Sequence, residues 1–434
     1  MAQSVFITQD PTILNVSKNP MVYVLSSANI ANFQYQYVID VRTQPDNIIR
    51  GRVKQYPNPS GKAVIDLSHI VDDYLSPNTN NFTNTTIESV SGSEFQFFKV
   101  TAGEEFGTSP SSSVTLYSGE GSIGAPAVTG SAPNGLYGAW GGAMDITPGV
   151  SGSVNGGWNF GDYFGTDSMS YILSSYTSTE QSPSQRNHKM GPNDYGLMPI
   201  MDTQGYITGS NTTVSLYNSA GTLFNSMILP RTLTGKYVNY IPCGTQNFLD
   251  YGVFQQSDIN ATAWYKIQTT GTSAFTKTFT MEHCSHTFER INFVFINKWG
   301  LWENYGLNQP VKKNTRIERE EITRSRIPYS GTTADAAYGQ RGMDYYNSSF
   351  SDRFSISTNY VTSKEADFIS QLIESPQVYL QLNNLDMGLG VNLGSPTFEP
   401  VQILNSSYIS KTNNLQKIFK YDIEYKVSNQ RPAR

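Results

Sequence analysis

Hydrophobic and polar positions alternate with a period of two along much of this chain. The clearest case is FKYDIEYKV (419–427), where Phe419, Tyr421, Ile423, Tyr425 and Val427 fall on one face and Lys420, Asp422, Glu424 and Lys426 on the other. That is the pattern of a half-buried antiparallel strand. FQYQYVIDVR (33–42) reads the same way: Phe33, Tyr35, Tyr37, Ile39 and Val41 inward, and Gln34, Gln36, Asp40 and Arg42 outward. PMVYVLSS before it and NIIRGRVKQY after it predict further strands, PNPSG (57–61) a turn, and EFQFFKV (94–100) another strand. TVSLYNSAGTLFNS (213–226) reads as two strands about an Asn-Ser-Ala-Gly turn, and NATAWYKIQTT and AFTKTFTMEH as two more.

A helical period appears only twice. Leu67, Ile70, Val71, Tyr74 and Leu75 mark a short helix that Pro77 closes. Ala366, Ile369 and Ile373 line one stripe of a helix over 363–375, with Thr362 as N-cap, Glu365 completing a capping box and Pro376 ending it. The expected fold is mainly β: two or three sandwich-like domains, few short helices and a long glycine-rich arm or loop.

The expected division is 1–118 as an N-terminal sandwich, 119–165 as the arm, 166–290 as a second β domain, and 291–434 as a C-terminal β-rich domain carrying the one good helix. The arm stands out because thirteen of the 43 residues from Gly119 to Gly161 are glycine, and no strand or helical period persists there. Such a stretch buries little by itself and orders best against a partner. Its aromatics, Tyr137, Trp140, Trp158 and Phe160, are therefore the candidate inter-subunit contacts.

Composition fits strands joined by polar loops. Of 434 residues only 15% are charged, while there are 27 tyrosines and 22 phenylalanines. A net charge of −5 argues against binding nucleic acid through phosphate neutralisation. Two cysteines, Cys243 and Cys284, do not make a disulfide scaffold. The first residues show no basic segment followed by an apolar one, and no run of 18 apolar residues predicts a membrane span.

Candidate chemistry is thin. GEGSIG (119–124) fits a dinucleotide fingerprint, but Ala-Pro-Ala-Val-Thr-Gly follows it, so no helix can begin there to hold a pyrophosphate. In HCSH (283–286), Cys284 and His286 share a strand face, yet a structural zinc needs four ligands. His69 lies off the apolar stripe of its helix, although Asp66, Asp72 and Asp73 are near in sequence. Glu104-Glu105 and Glu320-Glu321 are adjacent pairs, which on a strand point to opposite faces. KKNTRIEREEITRSR (312–326) interleaves acids with bases and predicts solvated cross-strand ion pairs. No cofactor and no metal are expected.

FVFINKWGLWENY (293–305) is the most distinctive stretch. Phe293 and Phe295 take one face and Val294 and Ile296 the other, so the strand is buried on both. Asn297-Lys298-Trp299-Gly300 is a turn, and Trp302 begins the return strand. A ligand platform of exposed Trp299 and Trp302 is the rival to a packed hairpin. The order Cys284, INFVFIN, Asn-Lys-Trp-Gly, Trp302-Glu303 resembles a stretch in tail and neck structural proteins of tailed bacteriophages, of crAss-like and marine or Bacteroidetes-infecting types. NPMVYVLSS…FQYQYVIDV…GRVKQYPNPSGKAVIDLSHIVDDYL is similar to the N-terminal sandwich of those proteins, and ESPQVYLQL…FEPVQILNSSYISK to their closing β-unit.

The resemblance implies a non-enzymatic virion protein, a ring, collar or adaptor in the tail or portal–tail connector. It would be assembled in the host cytoplasm, with copies of itself and other tail or connector proteins as partners. No catalytic residue carries over. The alternatives are a receptor- or carbohydrate-binding tail component, using Trp and Tyr as sugar platforms, and a β-rich glycoside hydrolase.

Overall fold

A computed structural model describes residues 5–11, 14–78, 82–90, 94–107, 115–117, 136–140, 170–174, 188–202, 211–232, 238–269, 276–283, 290–323, 329–330, 333–334, 343–361, 363–382, 397–405 and 419–428. The protein is mainly β, with several multi-stranded sheets. Its two compact units are Met1–His283 with Ile296–Asn304, and Cys284–Phe295 with Tyr305–Arg434.

The first unit opens with β1 (Val5–Gln9), β2 (Leu14–Val16), β3 (Val22–Ser27), β4 (Gln36–Gln44), β5 (Ile48–Gln55), β6 (Lys62–Asp66), α1 (Ser68–Asp72), β7 (Ile87–Ser89), β8 (Phe95–Glu105), β9 (Thr115–Tyr117) and β10 (Leu136–Trp140). Strands β1-β3-β6 make one sheet and β2-β10-β8-β4-β5 a second, with β9 beside β8. Between them lies a core that includes Tyr23, Leu25, Tyr37, Ile39, Val41, Ile65, Phe98 and Val100.

Three expectations need correcting here. Phe33 was placed on the inward face but is 65% exposed, because Gln34 takes φ +53° and breaks the alternation before β4 begins. Strand β4 is also buried on both faces rather than one: Asp40 is fully buried, and Arg52 of β5 donates to both its oxygens at 2.6 and 2.8 Å. A bidentate guanidinium satisfies that carboxylate and lets a polar position read as core. The stretch 119–165 is likewise not free of strand. Residues 136–140 form β10, antiparallel to β8 and parallel to β2, and backbone pairing on both edges outweighs the weak strand propensity of its Gly and Ala.

The first unit continues with β11 (Ser170–Ile172), β12 (His188–Met190), β13 (Leu197–Asp202), β14 (Thr212–Tyr217), β15 (Leu223–Ile228), β16 (Arg231–Thr232), β17 (Val238–Pro242), α2 (Thr245–Tyr251), α3 (Gln256–Ala261), β18 (Trp264–Thr269) and β19 (Thr276–Met281). Sheets β11-β13-β17-β7-β16 and β12-β19-β18-β14-β15 enclose a second core of Ile200, Val214, Leu216, Ile241, Tyr265, Ile267 and Phe279. Strand β7 comes from the N-terminal stretch yet pairs with β17 and β16. This exchange ties the two sandwiches together, so the chain does not part at 118.

The second unit contains most of β20 (Ile291–Ile296), the end of β21 (Trp302–Leu307), then β22 (Val311–Thr323), β23 (Tyr329–Ser330), β24 (Thr333–Ala334), β25 (Met343–Ser357), α4 (Ser363–Glu374), β26 (Val378–Leu382), β27 (Thr397–Ile403) and β28 (Asp422–Val427). Its main sheet runs β21-β20-β26-β27-β28-β25-β22. Phe293 meets Tyr425 edge-on at 5.5 Å, and Phe295 meets Phe368 of α4 at 5.3 Å. Strand β28 alternates as its sequence predicts, with Tyr421, Ile423 and Tyr425 buried and Asp422 and Glu424 exposed. Glu365 is buried and accepts the Tyr305 hydroxyl at 3.0 Å; its predicted capping partner Thr362 lies outside the described residues.

Candidate functional site

Two places in the structure carry unusual chemistry: the buried tip of the FVFINKWGLWENY hairpin in the first unit, and a long exposed ribbon in the second.

The tip is built by one asparagine. Gly300 N–H donates to the Asn297 carbonyl at 2.9 Å, and Gly300 sits at φ +73°, the left-handed conformation a turn of this kind needs. The Asn297 side-chain oxygen accepts from Trp299 N–H at 2.9 Å and Leu301 N–H at 3.1 Å. Its amide nitrogen donates to the Leu173 carbonyl at 2.8 Å and to Glu303 Oε2 at 2.9 Å. Trp299 and Trp302 are both buried; the Trp302 ring packs edge-on against Phe82 at 4.8 Å, and the Trp302 backbone N–H donates to the Tyr240 hydroxyl at 3.2 Å. Neither ring is presented as an open platform.

Behind the tip lie Glu303, Lys277 and Cys243, all buried. Burial pushes the Glu303 carboxyl up to about 7, against hydrogen bonds from Ser174 and Asn297 and the charges of Lys277 and Lys298. Burial likewise pulls Lys277 down to about 8, opposed by Glu303. It also raises the Cys243 thiol far above its usual range. Perturbed groups of this kind can mark an active site or a structural pair. Here all three are buried in the core and Glu303 is bonded to the turn through Asn297, which suits a group that fixes the hairpin rather than one that meets a substrate.

The ribbon consists of β22, 13 residues long, and β25, 15 residues long, paired antiparallel from Val311↔Ile356 to Thr323↔Met343. Strand β28 pairs with β25 only over Phe354–Ser357, so among the described residues the rest of the ribbon has two strands. Every residue of β22 after Val311 is exposed, as are Met343, Tyr345 and Tyr346 on β25. The expected cross-strand ion pairs are mostly not formed among the described residues. Lys313 reaches Asp352 across the ribbon at 2.9 Å, but Arg316 pairs with Glu318 on its own strand at 3.0 Å. Glu318, Glu320 and Glu321 stand opposite Ser349, Asn347 and Tyr345, so the acids face no base across the ladder. Arg319 lies over the Tyr345 ring at 5.3 Å.

The remaining candidates fall elsewhere. Tyr137 and Trp140 lie on β10, in the chain's own sheet. Trp158, Phe160, GEGSIG, Cys284 and His286 lie outside the described residues. His69 is exposed on α1, and His283 Nε2 is 2.6 Å from the Thr262 carbonyl. Glu104 accepts from Ser27, Asn29 and Tyr35, while Glu105 pairs with Lys54 at 2.5 Å, so the two diverge as adjacent strand residues should. Among the described residues no group of three His, Cys, Asp or Glu is placed to hold a metal ion, and no helix is long and apolar enough to cross a membrane. Sequence reasoning quoted Glu303 only as the acid after Trp302 in the resemblance, with no partner, and passed over Lys277, since a Lys inside FTKTFT carries no local signal. Comparison with known proteins adds no family: the chain matches no family model, and no curated protein matches it.

Proposed function

We propose that this chain is a non-enzymatic structural protein of a tailed-phage virion, assembling with copies of itself into a ring in the tail or portal–tail connector. The observation that carries the assembly part of this reading is the β22–β25 ribbon. A two-stranded ribbon with both faces in solvent is marginal by itself, yet this one is long and displays Ile317, Ile322, Met343, Tyr345 and Tyr346. Apolar side chains held out on a ribbon gain stability when another chain covers them. The virion part rests on the sequence resemblance. Rigid sandwiches supply the blocks, and contacts between unlike surfaces of neighbouring copies close a ring. Neighbouring tail or connector proteins would be the other partners.

Electron microscopy of the purified protein and of virions tests the proposal. Rings, and the same density in the tail or neck, are expected. A chain that stays monomeric at high concentration and is missing from virions would overturn it.

A further inference from the structure

We infer that β22 is a self-complementary edge: it pairs antiparallel with β22 of a second copy, in a register centred on Ile317. The strand ends its sheet in the order β28-β25-β22, so its outer edge carries no strand among the described residues. Natural edge strands are usually short, bulged or guarded by charge. This one is 13 residues long and regular. The one irregularity of the ribbon falls on β25, where Glu320 faces Asn347, Glu321 faces Tyr345 and Tyr346 is the extra residue. The outer edge of β22 therefore stays straight enough to template another strand.

The charges choose the occupant. Backbone N–H and C=O groups point alternately to the two edges of a strand, so two copies related by a two-fold axis hydrogen-bond only where residues of like parity face each other. Centred on Ile317, Arg316 faces Glu318 and Lys313 faces Glu321, and the two-fold repeats both pairs, giving four opposite-charge contacts and no like ones. The next permitted register toward the N-terminus sets Arg316 on Arg316 and Lys313 on Arg319; the next toward the C-terminus sets Glu318 on Glu318. Ile317 meets Ile317 at the axis. The product is a four-stranded sheet, β25-β22 against β22-β25 of the second copy, which removes the weakness of a two-stranded ribbon. This contact is isologous, so it would join two chains, or two rings, rather than close one ring.

The test uses the full chain with Cys284→Ser. Ile317→Cys should cross-link to itself under mild oxidation, because residues on the axis of an antiparallel pair lie within disulfide reach. Thr315→Cys and Arg319→Cys should not cross-link alone but should do so when mixed, since each faces the other. Glu318→Arg should weaken self-association about tenfold or more in sedimentation, and Arg316→Glu with Glu318→Arg should restore it. Cross-linking at Thr315 equal to that at Ile317, or charge reversal without effect on association, would overturn the inference. The outcome does not depend on the virion reading: a chain that cross-links in this register yet is absent from virions sinks that reading and keeps this one.

Discussion

Glu303→Gln is the substitution with the sharpest expected outcome, because it acts on a fully buried carboxyl whose folded and unfolded states differ. The unfolded carboxyl titrates near 4.5 and the folded one near 7. Between those values the native state holds a proton that the unfolded chain has released. The group's contribution is therefore complete below about 4.5 and is lost as pH rises through about 7. At about 1.4 kcal/mol for each pH unit between the two values, the loss is about 3 kcal/mol. Lys277 runs the other way: its native amine sheds a proton near 8 and its unfolded one near 10.5, so its contribution is present above 10.5 and lost as pH falls through about 8. Together the two give the first unit its lowest stability from this pair between pH 7 and 8. Cys243, buried in the same cluster, is the reporter: its rate of reaction with a pyridyl disulfide, divided by the rate in the denatured chain at the same pH, measures opening of this core. With Cys284→Ser in the background, protection should fall about 100-fold from pH 4.5 to pH 7.5 in the otherwise natural chain, somewhat less than the full difference because both ends of that range lie close to a titration midpoint. In Glu303→Gln it should change only a few-fold over that range. A flat natural profile, or an equal fall in Glu303→Gln, would refute the assignment.

Three further substitutions test the packing. Trp302→Ala removes a fully buried ring that meets Phe82 and should cost about 3–5 kcal/mol in denaturant unfolding; a cost under about 1 kcal/mol would contradict its place in the core. Asn297→Ala leaves the Trp299 and Leu301 N–H groups and the Leu173 carbonyl without the partner shown, and should cost roughly 2–3 kcal/mol, read as a lower unfolding temperature of the first unit. Gly244→Ala should abolish soluble expression or lower stability by more than either, because an added Cβ would lie 2.2 Å from Gly196 N and 2.4 Å from the Asp194 carbonyl oxygen, neither of which a side-chain rotation can clear.

What was legible in the sequence, and what was not, follows from how far each signal reaches. Strand β28 and the β14–β15 hairpin were legible because alternation and turn chemistry are local: Asn218 and Gly221 close their turn with Gly221 N–H donating to the Asn218 carbonyl at 3.0 Å, as the Asn-Ser-Ala-Gly stretch predicts. Asp40 was misread because its fate is decided by Arg52 on the next strand, twelve residues away. The short helices α2 and α3 were not foreseen; α2 starts after Gly244 and ends at Gly252 in the left-handed region, with too few turns for a helical period to stand out. The pairing of Glu303 with Lys277 was invisible because a pair drawn from β21 and β19 exists only in the folded unit. Edge strand β22 shows a further limit. Its mixture of acids and bases was read inward, as ion pairs across its own ribbon, yet the partner strand offers Ser349, Asn347 and Tyr345 to the acids. Arg316 pairs with Glu318 along its own strand and Lys313 with Asp352 across the ribbon, but Glu320 and Glu321 face no base there, and the order of charges along the strand complements its own reversal, which is what the proposed contact between copies would use. An edge strand's sequence is therefore read twice, once against the neighbour inside the sheet and once against a copy of itself.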